Sequence, residues 1–262
     1  PAYVEYNRIF MSADETEATR YDPARQPELA AYVAQIAQFA QDAQSVDVQL
    51  LGENQVKLMV SDSYLTFAQE NGIEAFLDFG WMKNAFITDY IADLLAENGF
   101  IYGFVASYDG FTRNLDQRGQ SFSLNLFDRL DNTIYRAAVL QYDKPMSLVY
   151  LRNYPLSNTD SRSYFSFADG QIVTSYLDVT DGMSRSSTDN LVCYSENAGC
   201  AEIVLRCGQL FAARELDEEA LQEMSQVGIE SIWFTGKRLH ATQENATVVL
   251  TEDGTATGYS IP

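Results

Sequence analysis

Asp78-Phe79-Gly80-Trp81 is the segment whose residue types and spacing point most directly to chemistry. Phe76-Leu77-Asp78-Phe79-Gly80 reads as a short strand running into a turn, and a patterned helix carrying Asp89 follows it. A strand-to-helix turn points backbone N–H groups and the positive end of a helix dipole outwards, an arrangement suited to phosphate. Most such turns bind nothing, so the segment needs company elsewhere in the chain. A second pair of interest is Glu202 and Arg206, four residues apart on a helix and oriented as a favourable ion pair. The three cysteines, Cys193, Cys200 and Cys207, form no Cys-x-x-Cys pair, and the single His240 cannot complete a zinc set. Cys200 and Cys207 stand two turns apart on one helix and read as ordinary buried thiols.

Composition narrows the partners. The chain has 262 residues, 37 acidic against 17 basic, for a net charge of −20. Nucleic-acid binding relies on basic patches that release counterions and is disfavoured, and an anionic membrane surface repels the chain. The surplus carboxylates read either as a solvated surface that aids solubility or, for a few of them, as a divalent-metal site. No segment approaches the roughly 20 apolar residues of a membrane span. Pro1-Ala2-Tyr3 opens without the basic segment and apolar run of a secretory leader. A chain that begins on proline is expected to be a processed one.

The positioning elements follow from periodicity and turn residues. Pro27 opens a helix to about Gln44, with Leu29, Val33, Ile36 and Ala40 at helical spacing. Val46–Leu50 and Val56–Val60 alternate as the strands of a hairpin around Gly52-Glu53-Asn54. After the Asp78 turn, a helix gathers Phe86, Tyr90, Ile91, Leu94 and Leu95 on one face and closes at Asn98-Gly99. Ile101–Ser107 reads as a buried strand ending in Tyr108-Asp109-Gly110. Strands are expected at 122–127, 134–142, 148–153, 191–194, 232–234, 238–241 and 248–251, a hairpin at 164–177, and helices at 200–213 and 216–224. Asn245-Ala246-Thr247 fits a glycosylation triplet, a pattern common by chance. No proline-rich or low-complexity linker divides the chain, so an α+β class with two lobes of one unit is expected.

Between Val46 and Thr251, the order and spacing of these elements resembles the bacterial FAD:protein FMN transferases (ApbE-like), which move FMN from FAD onto other proteins. Asp78-Phe79-Gly80, Asp89, Leu94-Leu95 and Gly99 resemble that family's aspartate–glycine–glycine segment and its helix. Trp81 stands at the second glycine and Asn84-Ala85 at a lysine–glycine pair, with Lys83 one residue early. Tyr108-Asp109-Gly110 resembles a glycine–glycine–aspartate turn. Ser175–Gly182 is similar to a segment reading histidine, two aliphatics, aspartate, proline, any residue, threonine, glycine. Asp178 and Gly182 keep their places, while Ser175, Val179 and Asp181 replace histidine, proline and threonine. Ala201-Glu202 and Arg206 are similar to the helix that offers aspartate and, one turn later, threonine to magnesium.

The resemblance implies an ApbE-like fold over 1–262. It consists of two interlocked lobes of antiparallel or mixed sheet with packed helices, approximately 46–155 and 156–262, preceded by the helix 27–44. It places Asp78, Gly80, Trp81, Lys83, Asn84, Tyr108, Asp109, Gly110 and Arg206 around FAD, with Trp81 suited to stack on a flavin or adenine ring. Ser175 and Asp178 take the catalytic positions and Glu202 the metal position, where the Arg206 cation opposes magnesium. These four segments are expected to converge on one cleft. Three functions stay open. One is a flavin- or nucleotide-binding relative without catalysis. Another is magnesium-dependent transfer of FMN from FAD to a threonine of an acceptor protein. The third is an unrelated α+β interaction protein. Family likeness implies a cell-envelope or extracytoplasmic location, and its absence a cytoplasmic one.

Overall fold

A computed structural model of the chain describes residues 1–53, 55–157, 160, 163–243 and 247–261, so Asn245 and Ala246 of the glycosylation triplet lie outside it. The residues group into two units, 1–80 with 162–185 and 81–161 with 186–262.

In the first unit, α1 (Ala2–Met11), α2 (Glu15–Tyr21) and α3 (Pro27–Gln41) precede the hairpin β1 (Val46–Gly52) and β2 (Gln55–Val60), and α4 (Asp62–Asn71) follows it. Asp14 caps α2 by accepting from Glu17 N–H, Pro27 occupies the first turn of α3, and Ser61 caps α4, which ends on left-handed Gly72. Tyr6, Ile9 and Ala18 form the core with Phe167 and Val173, the last on a later hairpin, β8 (Tyr164–Ser166) and β9 (Ile172–Thr174).

The second unit starts with a 3₁₀ turn at Gly80–Met82, whose first residue belongs to the other unit, and α5 (Lys83–Glu97). Strands β3 (Phe104–Ala106), β4 (Phe111–Asn114), β5 (Phe122–Leu130), β6 (Thr133–Tyr142) and β7 (Ser147–Arg152) come next. After the excursion through β8 and β9 it resumes with β10 (Asn190–Ser195), α6 (Cys200–Phe211), α7 (Glu218–Gln226), β11 (Glu230–Thr235), β12 (Arg238–Ala241), β13 (Thr247–Leu250) and α8 (Glu252–Thr257). Antiparallel pairing gives a six-stranded sheet in the order β12-β11-β10-β7-β4-β3 and a three-stranded sheet β13-β6-β5. Every residue of β7 and β10 is buried, because α6 packs on one face and the three-stranded sheet on the other. Such two-sided burial explains why these strands read as apolar runs rather than alternating ones. The chain is thus α+β with antiparallel sheets.

Three elements differ from the sequence reading. Residues 76–80 form no strand. The Asp78 carboxylate instead accepts from Gly80 N–H at 2.7 Å, and Gly80 takes φ +52, a turn that competes with pairing. The expected strand Ile101–Ser107 contracts to Phe104–Ala106 at the edge of the sheet, with Phe104 68% exposed, because Gly103 at φ +101 breaks the extended run. On α5, the inward face is Ala85, Thr88 and Ala92, while Tyr90 and Leu94 are exposed. Small side chains there bring the helix close to the sheet.

A polar seam joins the two sheets of the second unit. Asp128 on β5, 3% exposed, accepts from Asn190 Nδ2 at 3.1 Å and from Tyr259 OH at 2.9 Å. Burial pushes its carboxyl up to about 6, against the hydrogen bonds that favour the anion. Since the folded value lies above the unfolded one, its contribution is fully present below about pH 4 and lost as pH rises through about 6. Relative to Asp128→Asn, the unaltered chain should therefore lose up to about 3 kcal/mol between those limits. Urea denaturation at a series of pH values checks this, and a pH-independent difference would contradict it.

Candidate functional site

Within the second unit, α5 carries two polar groupings: one joins its start to the β3–β4 turn, and a constellation around Asp89 joins it to β4 and the start of α6. Asn84, in the first turn of α5, donates Nδ2–H to Asp109 Oδ2 at 2.7 Å. Asp109 Oδ1 is buried and has no hydrogen-bond partner among the described residues. Gly110 adopts φ +100, and a Cβ there would lie 2.2 Å from the Tyr150 carbonyl oxygen, so only glycine lets the turn lie against β7.

Asp89 is the hub of the constellation. Its Oδ1 accepts from Cys200 N–H at 2.9 Å and its Oδ2 from Ala201 N–H at 2.8 Å, while Arg113 Nη1 pairs with it at 2.8 Å. Arg113 also reaches Asp93 at 3.2 Å. The carboxylate thus sits at the positive end of α6, where an external anion would otherwise be drawn. Gly199 permits the approach, since a Cβ would stand 2.5 Å from Asp89 Oδ2. One turn on, Glu202 and Arg206 pair at 3.2 Å, both roughly half exposed. Trp81 is half-buried, its ring over Gly208 of α6, where an added Cβ would meet it at 3.1 Å. Lys83 and Tyr108 are exposed.

Asp78, Gly80, Ser175 and Asp178 belong to the first unit. Asp78 is exposed, and the ring of Tyr3 packs beside Gly80. Ser175 is buried. Asp178, 3% exposed, is engaged by its own loop: Oδ1 accepts from Thr180 N–H at 2.9 Å and Thr180 Oγ1 at 2.6 Å, and Oδ2 faces Arg185 Nη1 at 3.4 Å. Gly182 closes the loop by donating N–H to Asp178 O at 2.7 Å, and its φ +73 lets it lie against the Val33 carbonyl of α3.

Sequence reading missed Arg113 and Arg185. Arg113 finds its carboxylates 24 and 20 residues away, a distance with no local signal. Arg185 pairs with Asp181 at 2.6 Å, and that i,i+4 spacing was visible but lay outside any helix. The cysteines are all buried. Burial pushes the Cys200 thiol up to about 12, and the Cys207 thiol is raised by its hydrogen bond to Cys193 and by burial. Both stay protonated near neutrality. Among the described residues, no group of three or more His, Cys, Asp or Glu side chains is arranged to hold a metal ion.

No protein-family model matches the chain, and no curated protein matches it in sequence. Its fold is similar to the crystal structure of the ApbE protein from Thermotoga maritima MSB8, with a TM-score of 0.55 at 14% identity, over 98% of this chain and 77% of that one. Agreement on that scale belongs to backbone architecture rather than to side-chain chemistry. The α+β scaffold that carries Asp89, Asp109 and the start of α6 is an ApbE-like fold.

Proposed function

We propose that the chain is a flavin- or nucleotide-binding relative of the FAD:protein FMN transferases that has no transferase activity of its own. The observation that carries this reading is the self-satisfied start of α6. Its first N–H groups are taken by Asp89, and the Glu202 carboxylate by Arg206. The residues present do not fit magnesium at Glu202: a guanidinium replaces a neutral oxygen ligand and repels the ion. The ApbE-like fold supports a nucleotide ligand, Trp81 supplies a ring for stacking, and Lys83 supplies an exposed cation for phosphate. Ser175 in the position of a basic imidazole supports the absence of catalysis.

Two measurements bear on this. Calorimetry with magnesium chloride should show no tight site in the unaltered chain, and Arg206→Thr should raise the affinity. Micromolar binding by the unaltered chain would contradict the reading of Glu202. The chain mixed with FAD and desalted should retain a visible flavin band, which Trp81→Ala should weaken. A chain that leaves the column colourless is not a flavin binder.

A further inference from the structure

The β1–β2 hairpin of the first unit is apolar on one face. Its pairing sets Val46 opposite Val60, Val48 opposite Leu58 and Leu50 opposite Val56. Paired residues point to the same side and alternate residues share a face, so these six aliphatic side chains line one surface. Asp47, Gln49, Lys57 and Met59 take the other. Such alternation is the pattern of a strand pair with one face packed on a core. Here the face loses its cover along its length. Val46 and Val60 are half-buried, Leu58 and Val48 are 37% and 43% exposed, and Val56 and Leu50 are 62% and 82% exposed. A two-stranded hairpin is only marginally stable until its apolar face is packed. We infer that a second copy of this chain covers it, the two hairpins packing face to face in a two-fold dimer.

Charge selects the occupant. A net charge of −20 sets one copy against another over most of the surface. Between Val46 and Val60 the only charged residues are Asp47 and Glu53 against Lys57, and the six-residue apolar face carries none. This is therefore a place where two copies meet with little repulsion. A purely aliphatic face is also its own complement, as a two-fold contact requires. It offers no carboxylate to a basic partner. The single lysine, on the opposite face, gives no hold on an anionic lipid surface.

Area sets the strength. The exposed parts of Val48, Leu50, Val56 and Leu58 present roughly 300 Å² of apolar surface, the scale of patch that marks an interaction site. Interface cores are about 65% apolar, which scales this surface to about 500 Å² per copy and about 1,000 Å² for the pair. That total stands at the threshold for a specific contact and below the roughly 1,600 Å² of a standard one. The dimer is accordingly weak and reversible, with a dissociation constant of about 1–100 µM.

Sedimentation equilibrium of the full chain, from about 1 µM to about 500 µM at about 0.15 M salt, tests this. A reversible monomer–dimer equilibrium is expected. Raising the salt to about 0.5 M should tighten it at least about threefold, because screening relieves repulsion between two acidic copies. Leu50→Lys lowers the net negative charge, so charge alone would strengthen association. Loss of the apolar contact should instead weaken it at least about tenfold. Val56→Lys, also at an exposed position, should do the same and guards against a folding defect peculiar to one variant. Gln49→Lys puts the same charge on the opposite face and should leave the dimer as strong or stronger. A chain that stays monomeric at every concentration overturns the inference, and if that monomer floats with phosphatidylcholine vesicles the face belongs to lipid. A dimer that both apolar-face variants leave intact overturns it too, as does one that Gln49→Lys weakens equally or that salt dissociates.

Discussion

Gly110→Ala is expected to destabilise the chain by about 3–5 kcal/mol, enough to unfold a marginal domain. Two costs combine. The residue stands at φ +100, outside the left-handed well that other residues tolerate, which alone costs about 1–3 kcal/mol. The new methyl would also lie 2.2 Å from Tyr150 O and 3.1 Å from the carbonyl carbon. Neither partner can retreat. Tyr150 N–H donates to Gly110 O at 2.9 Å, and β7 is buried along its whole length. Gly119→Ala is the matched control, with φ +73 and nothing within 4 Å of its added methyl, and should cost only the backbone strain. Urea denaturation of the two variants checks the pair. Equal losses would show that the β3–β4 turn is not pressed against β7.

Asp89→Ala is expected to cost about 3–4 kcal/mol, the sum expected for a lost helix cap and a broken, largely buried ion pair. Two α6 N–H groups lose their acceptor, and among the described residues Arg113 keeps Asp93 as its carboxylate partner. The Asp93 carboxylate is 64% exposed, so Asp93→Ala should cost less than about 1 kcal/mol. The variants also test what Asp89 replaces. If its carboxylate occupies an anion position, millimolar phosphate or sulfate should stabilise Asp89→Ala and leave the unaltered chain unmoved. Equal stabilisation of both would mean that the anion binds elsewhere.

Legibility in the sequence followed the strength of local signals. β1, β2 and α6 were readable because their apolar residues recur at clean periods, and β10 as a short apolar run. The run at 76–80 misled because aromatic spacing suggested a strand where Asp78 was folding back on its own backbone. Helix α5 showed its period correctly. Its burial was not readable, because small residues face the sheet and large ones face out. The short helices α1, α2, α4 and α8 were passed over. α4 carried a Ser61 cap and a closing Gly72, but its mixed composition gave no apolar stripe. At the candidate site, the Glu202–Arg206 pair was legible as a spacing on one helix and is present at 3.2 Å. The Asp89 hub was not, since it joins α5, β4 and α6 across more than a hundred residues.

The central claim is a scaffold that holds a flavin nucleotide without transferring it. Its most direct test incubates the chain with FAD, magnesium and a threonine-containing acceptor peptide, following AMP release and the mass of the peptide. Where the resemblance puts a general base, Ser175 would forfeit a contribution of about 10²–10⁴-fold, and Asn84 at the lysine position, with Lys83 one residue early, would weaken transition-state stabilisation further. The expected result is bound FAD, no AMP above background and no FMN increment on the peptide. AMP release with FMN-modified peptide over many turnovers would contradict the account.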